Sequence, residues 1–237
     1  MNTLAERRRE LLRWILKNAN PGKDGPLHGI GWALNHARLA LGESVEAANA
    51  YFEAYALDRT PQVWRDGKSD DRDWDFPATN VLRTVLDFGG TKLLSEKAAA
   101  NLRRIFTEWQ VPRVTQNRDN NCVHRYPAIH TENHDIMCLT IGLFGEIFAG
   151  RDGAAHVRQL RQSLSCRFRR GWTEWHSHVY QVHYLNPLLI LADHAPDATL
   201  RRAANELVNV QLAGRSNTVR ESRSLKSCQI TPMLRRR

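Results

Sequence analysis

The sequence has no long uninterrupted run of apolar residues. Of its 237 residues 42% are hydrophobic, yet no stretch approaches the roughly 18 consecutive apolar residues that a membrane-spanning helix requires. The basic triplet Arg7–Arg9 is not followed by the apolar segment of a secretory signal peptide. We therefore expect no membrane partner and a cytoplasmic protein, or an exported one if an N-terminal extension precedes this sequence.

Cysteine is scarce and scattered. No two cysteines form a CxxC pair, the spacing typical of zinc and redox motifs. The four are Cys122, Cys138, Cys166 and Cys228. A disulfide framework is not expected in a chain of this length with so few cysteines, so we expect reduced thiols with structural roles.

Recognition motifs for nucleic acid are also missing. The net charge of +9 has the sign that binds phosphate, but no RRM, KH, homeodomain or zinc-finger pattern occurs. Residues 214–237 contain seven Lys or Arg and a single acid, Glu221, so this segment alone supplies +6. Nucleic acid is therefore not an expected partner.

The same C-terminal segment divides the chain into two parts. Its apolar residues are scattered without a period, and it is rich in Ser and Arg, which is typical of disorder. We predict a helical domain over 1–213 and a basic tail over 214–237. The tail is either disordered or aberrant, for example because a frameshift interrupts the natural sequence after Ala213.

The body of the chain lacks a convincing strand pattern, and apolar residues recur at helical spacing. Thr3 to Glu6 forms a capping box, and Ser95 and Asp197 are suitable N-caps for later helices. Pro187 lies within a helical pattern and predicts either a kink or a restart of the helix there. The expected helices after the first cover about 30–41, 43–57, 77–88, 95–108, 132–148, 153–169, 178–193 and 198–212.

Long polar loops, at about 58–75, 110–130 and 170–177, alternate with short turns. This layout is typical of helical hairpins whose long connections emerge at one end. Repeated hairpins close into a ring or stack into a solenoid, and the absence of a fixed-period repeat disfavours the solenoid. We predict an all-α fold of helical hairpins.

Two polar segments, 124–135 and 171–184, each lead into an apolar helical run. They contain six of the ten histidines, three of the five tyrosines and two of the seven tryptophans. Flat rings stack on the apolar faces of sugars, while amides, imidazoles and carboxylates bond the hydroxyls. We predict a polysaccharide or oligosaccharide site here. The His176, His178 and His183 spacing matches no zinc-enzyme pattern, so neither a metal nor another cofactor is expected.

The stretches Thr131–Met137 and Gly171–Tyr180 carry a family resemblance. They resemble bacterial proteins with a Glu-Asn-His helix start and a later Gly-x-x-Glu-Trp-x-Ser-x-x-Tyr segment. Those proteins are (α/α) toroids, similar to six-hairpin glycosidases and to alginate-lyase-like and heparinase-like polysaccharide lyases. The resemblance covers about residues 120–213. A complete ring needs about twelve helices and about nine are predicted, so the resemblance implies an incomplete toroid.

The resemblance also implies lyase chemistry on a uronate-containing glycan. By matching position, Asn133 and His134 neutralise the uronate carboxylate and Tyr180 is the acid/base, while Trp175 and His176 line the sugar subsite. An amide with an imidazole suits a developing enolate. The chain departs from alginate-lyase-type sites because it has no Asn-Asn-His triplet before a Tyr.

Two other functions remain open on the residues alone. A glycoside hydrolase needs two carboxylates, and Glu132 with Glu174 is the natural pair, with Asp135 or Asp75 as substitutes. A helical scaffold that binds a glycan or a protein without turnover needs neither. In every case the further residues expected to contact the ligand are His124, Arg125, Tyr126, Tyr184, Trp74 and Asp75.

A purely structural interpretation stands beside these. Thr131 to Asp135 is also typical of an ordinary helix start, where a Thr cap and acids in the first turn complement the helix dipole. Glu174 could simply anchor a loop by pairing with a nearby arginine. The location of these residues in the fold decides between the interpretations.

Overall fold

The computed structural model describes the backbone of residues 3–19, 30–57, 62–63, 69–70, 75–108, 132–171 and 181–228. Side chains are described over the same ranges except for Ile30, 62–63, 69–70, Glu132 and 214–228. Within these ranges the chain is helical apart from turns and one short pair of strands. The prediction of an all-α protein is therefore confirmed.

Nine helices and two strands make up the described part. They are α1 (Leu4–Asn18), α2 (Ile30–Leu41), α3 (Val45–Ala54), β1 (Gln62–Val63), β2 (Ser69–Asp70), α4 (Asp75–Phe88), α5 (Glu96–Thr107), α6 (Glu132–Phe148), α7 (Ala154–Arg170), α8 (Gln181–His194) and α9 (Ala198–Cys228). Strands β1 and β2 pair antiparallel over two residues each. No pattern in the sequence predicts this ladder, because two residues are too few for an alternation.

The predicted helix starts are found where capping residues were identified. Thr3 and Glu6 form the reciprocal capping box of α1. The Ser95 hydroxyl accepts a hydrogen bond from the Ala98 amide at the start of α5, and Asp197 accepts one from the Leu200 amide in the first turn of α9. Each cap satisfies a backbone N–H that has no partner inside its own helix.

The hydrophobic core is centred on α4, α6 and α8, each of which contacts the other two. Helix α6 is apolar around most of its circumference, as the sequence predicted for a buried helix, and Ile136, Leu143 and Phe144 are buried. Gly142 lets α7 come close, since a Cβ there would lie 2.4 Å from Nε2 of the His156 imidazole.

Helices α4 and α8 run side by side in the same direction. Phe76 contacts His183, Asn80 accepts a hydrogen bond from Asn186, and further along Asp87 binds His194. The sequence separation of these three pairs is nearly constant, which requires parallel helices. The starts of α4 and α8 therefore lie together at one end of the core, and their last turns lie together at the other.

Pro187 lies inside α8, which continues through it without a restart. Proline has no N–H to donate to the carbonyl of His183, four residues before it. The Pro187 ring is buried, so its packing contributes to the core while one helical hydrogen bond is lost.

Helix α9 differs from its prediction at the C-terminal end. It continues to Cys228, whereas the sequence predicted an end near Leu212 and no regular structure from 214 onward. Residues 214–228 contain no proline, and their Arg, Leu, Lys and Glu residues favour helix. Gly214 alone therefore does not interrupt α9. Whether 214–228 packs on the body stays a prediction, as does the closure of the hairpins into an incomplete toroid.

No helix in the described ranges is long and apolar enough to cross a membrane. The longest one, α9, is polar along much of its length.

Candidate functional site

Asp75 is the first residue of α4 and its side chain is buried. Its Oδ2 lies 2.5 Å from Nδ1 of His134, on the first turn of α6. The Cys138 thiol, one helical turn further along α6, lies 3.9 Å from the same oxygen. Residues four apart share one helix face, so α6 presents the imidazole and the thiol to a single carboxylate.

The Phe76 ring forms the next contact of the site. It lies 5.0 Å, between ring centroids, from His134 and 4.2 Å from His183. The first turns of α4, α6 and α8 therefore bring one carboxylate, two imidazoles and one phenyl ring together. We call Asp75, Phe76, His134 and His183 the α4-start cluster.

Burial and charge set the protonation of two neighbours. Burial lowers the pKa of His183, the Asp75 carboxylate opposes this, and His134 adds to the lowering. Burial also raises the pKa of the Cys138 thiol well above its ordinary value, and the carboxylates of Asp75 and Asp135 raise it further. Cys138 is therefore a protonated, unreactive thiol, while His183 favours the neutral imidazole.

The same end of the core buries several other polar side chains. Asn133, Asp135 and Gln181 are all on the first turns of α6 and α8, and each is at most 6% exposed. Neither the nitrogen nor the oxygen of the Asn133 amide, 0% exposed, has a hydrogen-bond partner among the described residues. A buried amide with no partner lowers the stability of the fold, so this position needs another explanation.

The Asp75–His134 contact fixes the chemistry of the imidazole. An ionised carboxylate has only acceptors, so Nδ1 of His134 donates and carries the hydrogen. A carboxylate that orients a histidine in this manner is a common arrangement in acid–base catalysis.

Many of the predicted site residues lie outside the described part of the chain. They are Tyr180, Glu174, Trp175, His176, His124, Arg125, Tyr126 and Trp74. Glu132 is the first residue of α6, and its side chain also lies outside the description. Of the others, Asp75 contacts His134 across the starts of α4 and α6, and Asn133 precedes His134 on the first turn of α6.

Tyr184 differs from the other predicted site residues that the structure describes. It was predicted to contact a ligand, but its side chain is fully buried in the hydrophobic core. It lies one position after His183, so the helical geometry turns it toward a different face. The structure thus gives Tyr184 a packing role in the hydrophobic core.

A second Asp–His contact lies at the other end of α4. Asp87 binds His194 at 2.7 Å and Arg83 at 2.9 Å, and His36 is 3.9 Å away. Arg83 also bonds Asp193 at 2.7 Å. We call this the α4-end cluster; it links α2, α4 and α8.

The α4-end cluster was not found from the sequence. Burial opposes the ionisation of Asp87, but the hydrogen bonds from His194 and Arg83 hold its pKa below the ordinary value. Burial lowers the pKa of His36 to about 4, against the effect of Asp87. Each of these residues lies on the polar side of an amphipathic helix, where the sequence pattern indicates only solvent.

Neither cluster is arranged for a metal ion. Among the described residues, no group of three or more His, Cys, Asp or Glu side chains could hold one.

No protein family model matches the chain, and no curated protein or solved structure matches it either.

Proposed function

We propose that this chain is a carbohydrate-active enzyme domain of the helical-toroid type, acting on a polysaccharide, with its reaction centre at the α4-start cluster. The observation that carries the proposal is the 2.5 Å contact between Asp75 and His134. It joins two residues that have distinct predicted roles and lie on different helices. The two residues are 59 positions apart in the sequence. Because the Asp87–His194 contact also joins distant residues, the proposal draws as well on the buried Asn133 amide, which has no hydrogen-bond partner among the described residues.

Elimination on a uronate is the reaction that this arrangement supports best. In this reaction Asn133 and His134 bind the substrate carboxylate, and the contact with Asp75 orients the His134 ring. The amide of Asn133 has donor and acceptor groups that no described residue uses, and a substrate carboxylate or hydroxyl can pair with them. A ligand in this position also explains a buried amide that otherwise destabilises the fold.

Hydrolysis is the second candidate, and one observation favours it. The carboxylates of Asp75 and Asp135 both act on the Cys138 thiol, so two acids lie near one point of α6. A glycoside hydrolase needs two carboxyl groups across the scissile bond. The contact of Asp75 with His134 counts against this use, because it directs that carboxylate to an imidazole.

The test is a panel of alginate, heparinoid, pectate and glucuronan incubated with the purified chain. A lyase produces an ultraviolet-absorbing unsaturated uronate, whereas a hydrolase produces new reducing ends without that absorbance. We expect absorbance with at least one substrate, and its loss in Asp75→Asn. The matched control is His194→Gln, which alters the other Asp–His contact of α4. Absence of both products from every substrate would count against the proposal.

A further inference from the structure

Helix α1 buries little of its surface against the rest of the protein. It contacts α2, and its least exposed side chains, Leu12, Ile15 and Leu16, are only half-buried. The helix, Leu4–Asn18, contains no buried residue. A helix of this length is marginal in water by itself and is normally stabilised by the burial of an apolar face. The described contacts of α1 therefore do not account for its stability.

The exposed side of α1 carries large apolar side chains. Leu4, Leu11 and Trp14 are 85%, 59% and 63% exposed. Their spacing places them on one side of the helix, apart from the half-buried residues. Exposed apolar side chains that lie together mark surfaces that bind a partner. We call Leu4, Leu11 and Trp14 the α1 stripe.

The charge of α1 limits what that partner is. The helix contains five Lys or Arg and two Glu, and Glu6 is used by the capping box. Arg9, Arg13 and Lys17 recur at every fourth position, so they share one face of the helix, and all three are exposed. The helix therefore presents an apolar stripe and a separate cationic face, which attracts an anionic partner.

An anionic bilayer surface fits both faces at once. A helix with Trp and Leu on one side and Lys and Arg on the other lies in the plane of a membrane, with its apolar side at the boundary between headgroups and acyl chains. The indole of Trp14 suits that depth, because it has an apolar body and an N–H donor. Each cation near an anionic lipid surface adds to the attraction.

Other partners fit the two faces less well. Nucleic acid would pair with the cations and leave the α1 stripe in water. A second copy of α1 would bring two positively charged helices together. A groove in an acidic protein would enclose the helix, whereas α1 already contacts α2. A flat surface suits a helix that is free on one side.

We infer that α1 docks the protein on an anionic lipid surface, with the α1 stripe at the acyl boundary and Arg9, Arg13 and Lys17 at the lipid phosphates. A helix in this position does not cross the bilayer, so it needs no continuous apolar run. The expectation of no membrane partner rests on the lack of such a run, which does not bear on an interfacial helix. The docking surface uses no residue of the α4-start cluster, so it is independent of the proposed reaction.

Vesicle flotation with the full chain tests the docking. The vesicles are phosphatidylcholine alone or its mixture with phosphatidylserine. We expect binding to the mixture, little binding to phosphatidylcholine, and weaker binding to the mixture as the salt concentration rises. The difference between wild type and Trp14→Phe gives the emission of Trp14, which should shift to the blue when the mixed vesicles are added.

Two double variants separate the apolar stripe from the cationic face. Leu11→Gln with Trp14→Gln should weaken binding to the mixed vesicles by about 10-fold or more, because it removes apolar area from the contact. Arg9→Gln with Arg13→Gln should weaken it by about 10-fold or more, because it removes two cations. All four side chains are exposed, so the melting temperatures should stay close to that of the wild type.

The matched control variants change the same kinds of residue on other helices. Val210→Gln with Leu212→Gln replaces two exposed apolar side chains of α9. Arg158→Gln with Arg202→Gln removes two exposed cations, one from α7 and one from α9. Both controls should bind the mixed vesicles nearly as the wild type does.

Four results would overturn the inference. Failure of the wild type to float with the mixed vesicles would remove the docking. Equal flotation of the wild type and of Leu11→Gln with Trp14→Gln would mean charge attraction without insertion. Binding of a single-stranded oligonucleotide that requires Arg9 and Arg13, without vesicle flotation, would make nucleic acid the partner. A dimer in sedimentation that is lost in Leu11→Gln with Trp14→Gln would place a second copy on the α1 stripe.

Discussion

Helix α4 has an aspartate–histidine contact at each end, and the two ends differ in what surrounds the pair. Asp87 is bonded by His194 and Arg83, and Arg83 in turn bonds Asp193. Asp75 is bonded by His134, with only the weak thiol of Cys138 as a second contact among the interactions described above. Among the described residues, Asp87 is paired with the guanidinium of Arg83, whereas no arginine or lysine is bonded to Asp75.

The difference shows that an Asp–His contact is not evidence of function by itself. At the α4-end cluster the polar groups satisfy one another, which is the arrangement of a structural link between helices. On the first turn of α6 the fully buried Asn133 amide has no hydrogen-bond partner among the described residues, and two imidazoles of the α4-start cluster contact one phenyl ring. Unsatisfied polar groups at a shared point are more typical of a ligand site than of a helix contact.

The largest expected effect is on catalysis, and it separates the two histidines. His134→Gln should reduce kcat on the responsive polysaccharide by about 10²- to 10³-fold, because the variant lacks the imidazole that neutralises the substrate carboxylate as charge develops on it. His194→Gln should keep kcat close to the wild-type value. Steady-state assays on both variants, with circular dichroism to show that each is folded, make the comparison. Equal losses of kcat in the two variants would mean that the α4-start and α4-end clusters have the same role.

For stability we expect the opposite order, with the larger loss at the α4-end cluster. Asp87→Ala should lower the free energy of unfolding by about 3 kcal/mol, because Arg83 and His194 lose their shared partner in a partly buried place. Asp75→Ala should cost less, about 1 kcal/mol, since it removes one strong hydrogen bond. Urea unfolding at pH 7 measures both. A larger cost at Asp75 than at Asp87 would contradict the structural role of the α4-end cluster.

Acid should weaken the α4-end cluster through His36. The side chain is 13% exposed, and its pKa falls from 6.5 to about 4 on folding. Below pH 6.5 the unfolded chain binds a proton that the folded chain does not, so stability falls until about pH 4. The loss is about 3 kcal/mol by linkage.

His36→Phe is the variant that tests this, because the Phe ring can keep the contacts with Trp32 and Phe88. Its unfolding free energy should decline less between pH 7 and pH 4.5 than that of the wild type. His156, whose pKa burial also lowers, leaves a residual decline in both proteins. Identical pH dependence in the two proteins would show that His36 is not held neutral.

The smallest expected effect is on the free energy of unfolding, at the buried amide of Asn133. The half-buried amide of Asn101 serves as the comparison. Asn133→Leu should change the unfolding free energy by less than about 1 kcal/mol, or raise it, since no hydrogen bond with a described residue is lost. Asn101→Leu should cost about 2 kcal/mol, because the Asn101 amide donates to the carbonyls of Phe52 and Tyr55 at 2.9 Å. Thermal unfolding of both variants makes the measurement. A large loss at Asn133 would reveal a structural partner for its amide.

The sequence predicted the helices well wherever local chemistry specifies them. The Thr3 capping box, the Ser95 and Asp197 caps and the apolar circumference of α6 all depend on neighbouring residues. Helix α9 extends past its predicted end near Leu212 to Cys228, because the backbone propensity of that stretch permits helix.

The site was less predictable because its contacts are distant in sequence. Asp75 was assigned to the end of a solvated loop, and its place on the first turn of α4 differs by about two residues from the predicted start. That small shift buries the carboxylate against His134. His183 was considered only as one of three spaced histidines, and nothing in the sequence indicates its contact with Phe76. Asp87 and His194 are similarly separated by more than 100 positions.

Pro187 has a consequence for how the protein opens. Without an N–H at position 187, the first turn of α8 is held by one fewer backbone hydrogen bond, at the carbonyl of His183. Hydrogen exchange of α8 should therefore be uneven, with amides near Gln181 exchanging through local opening and those near Leu191 only through global unfolding. Such a first turn can rearrange locally while the last turn of α8, tied to α4 by the Asp87–His194 and Arg83–Asp193 contacts, keeps its place.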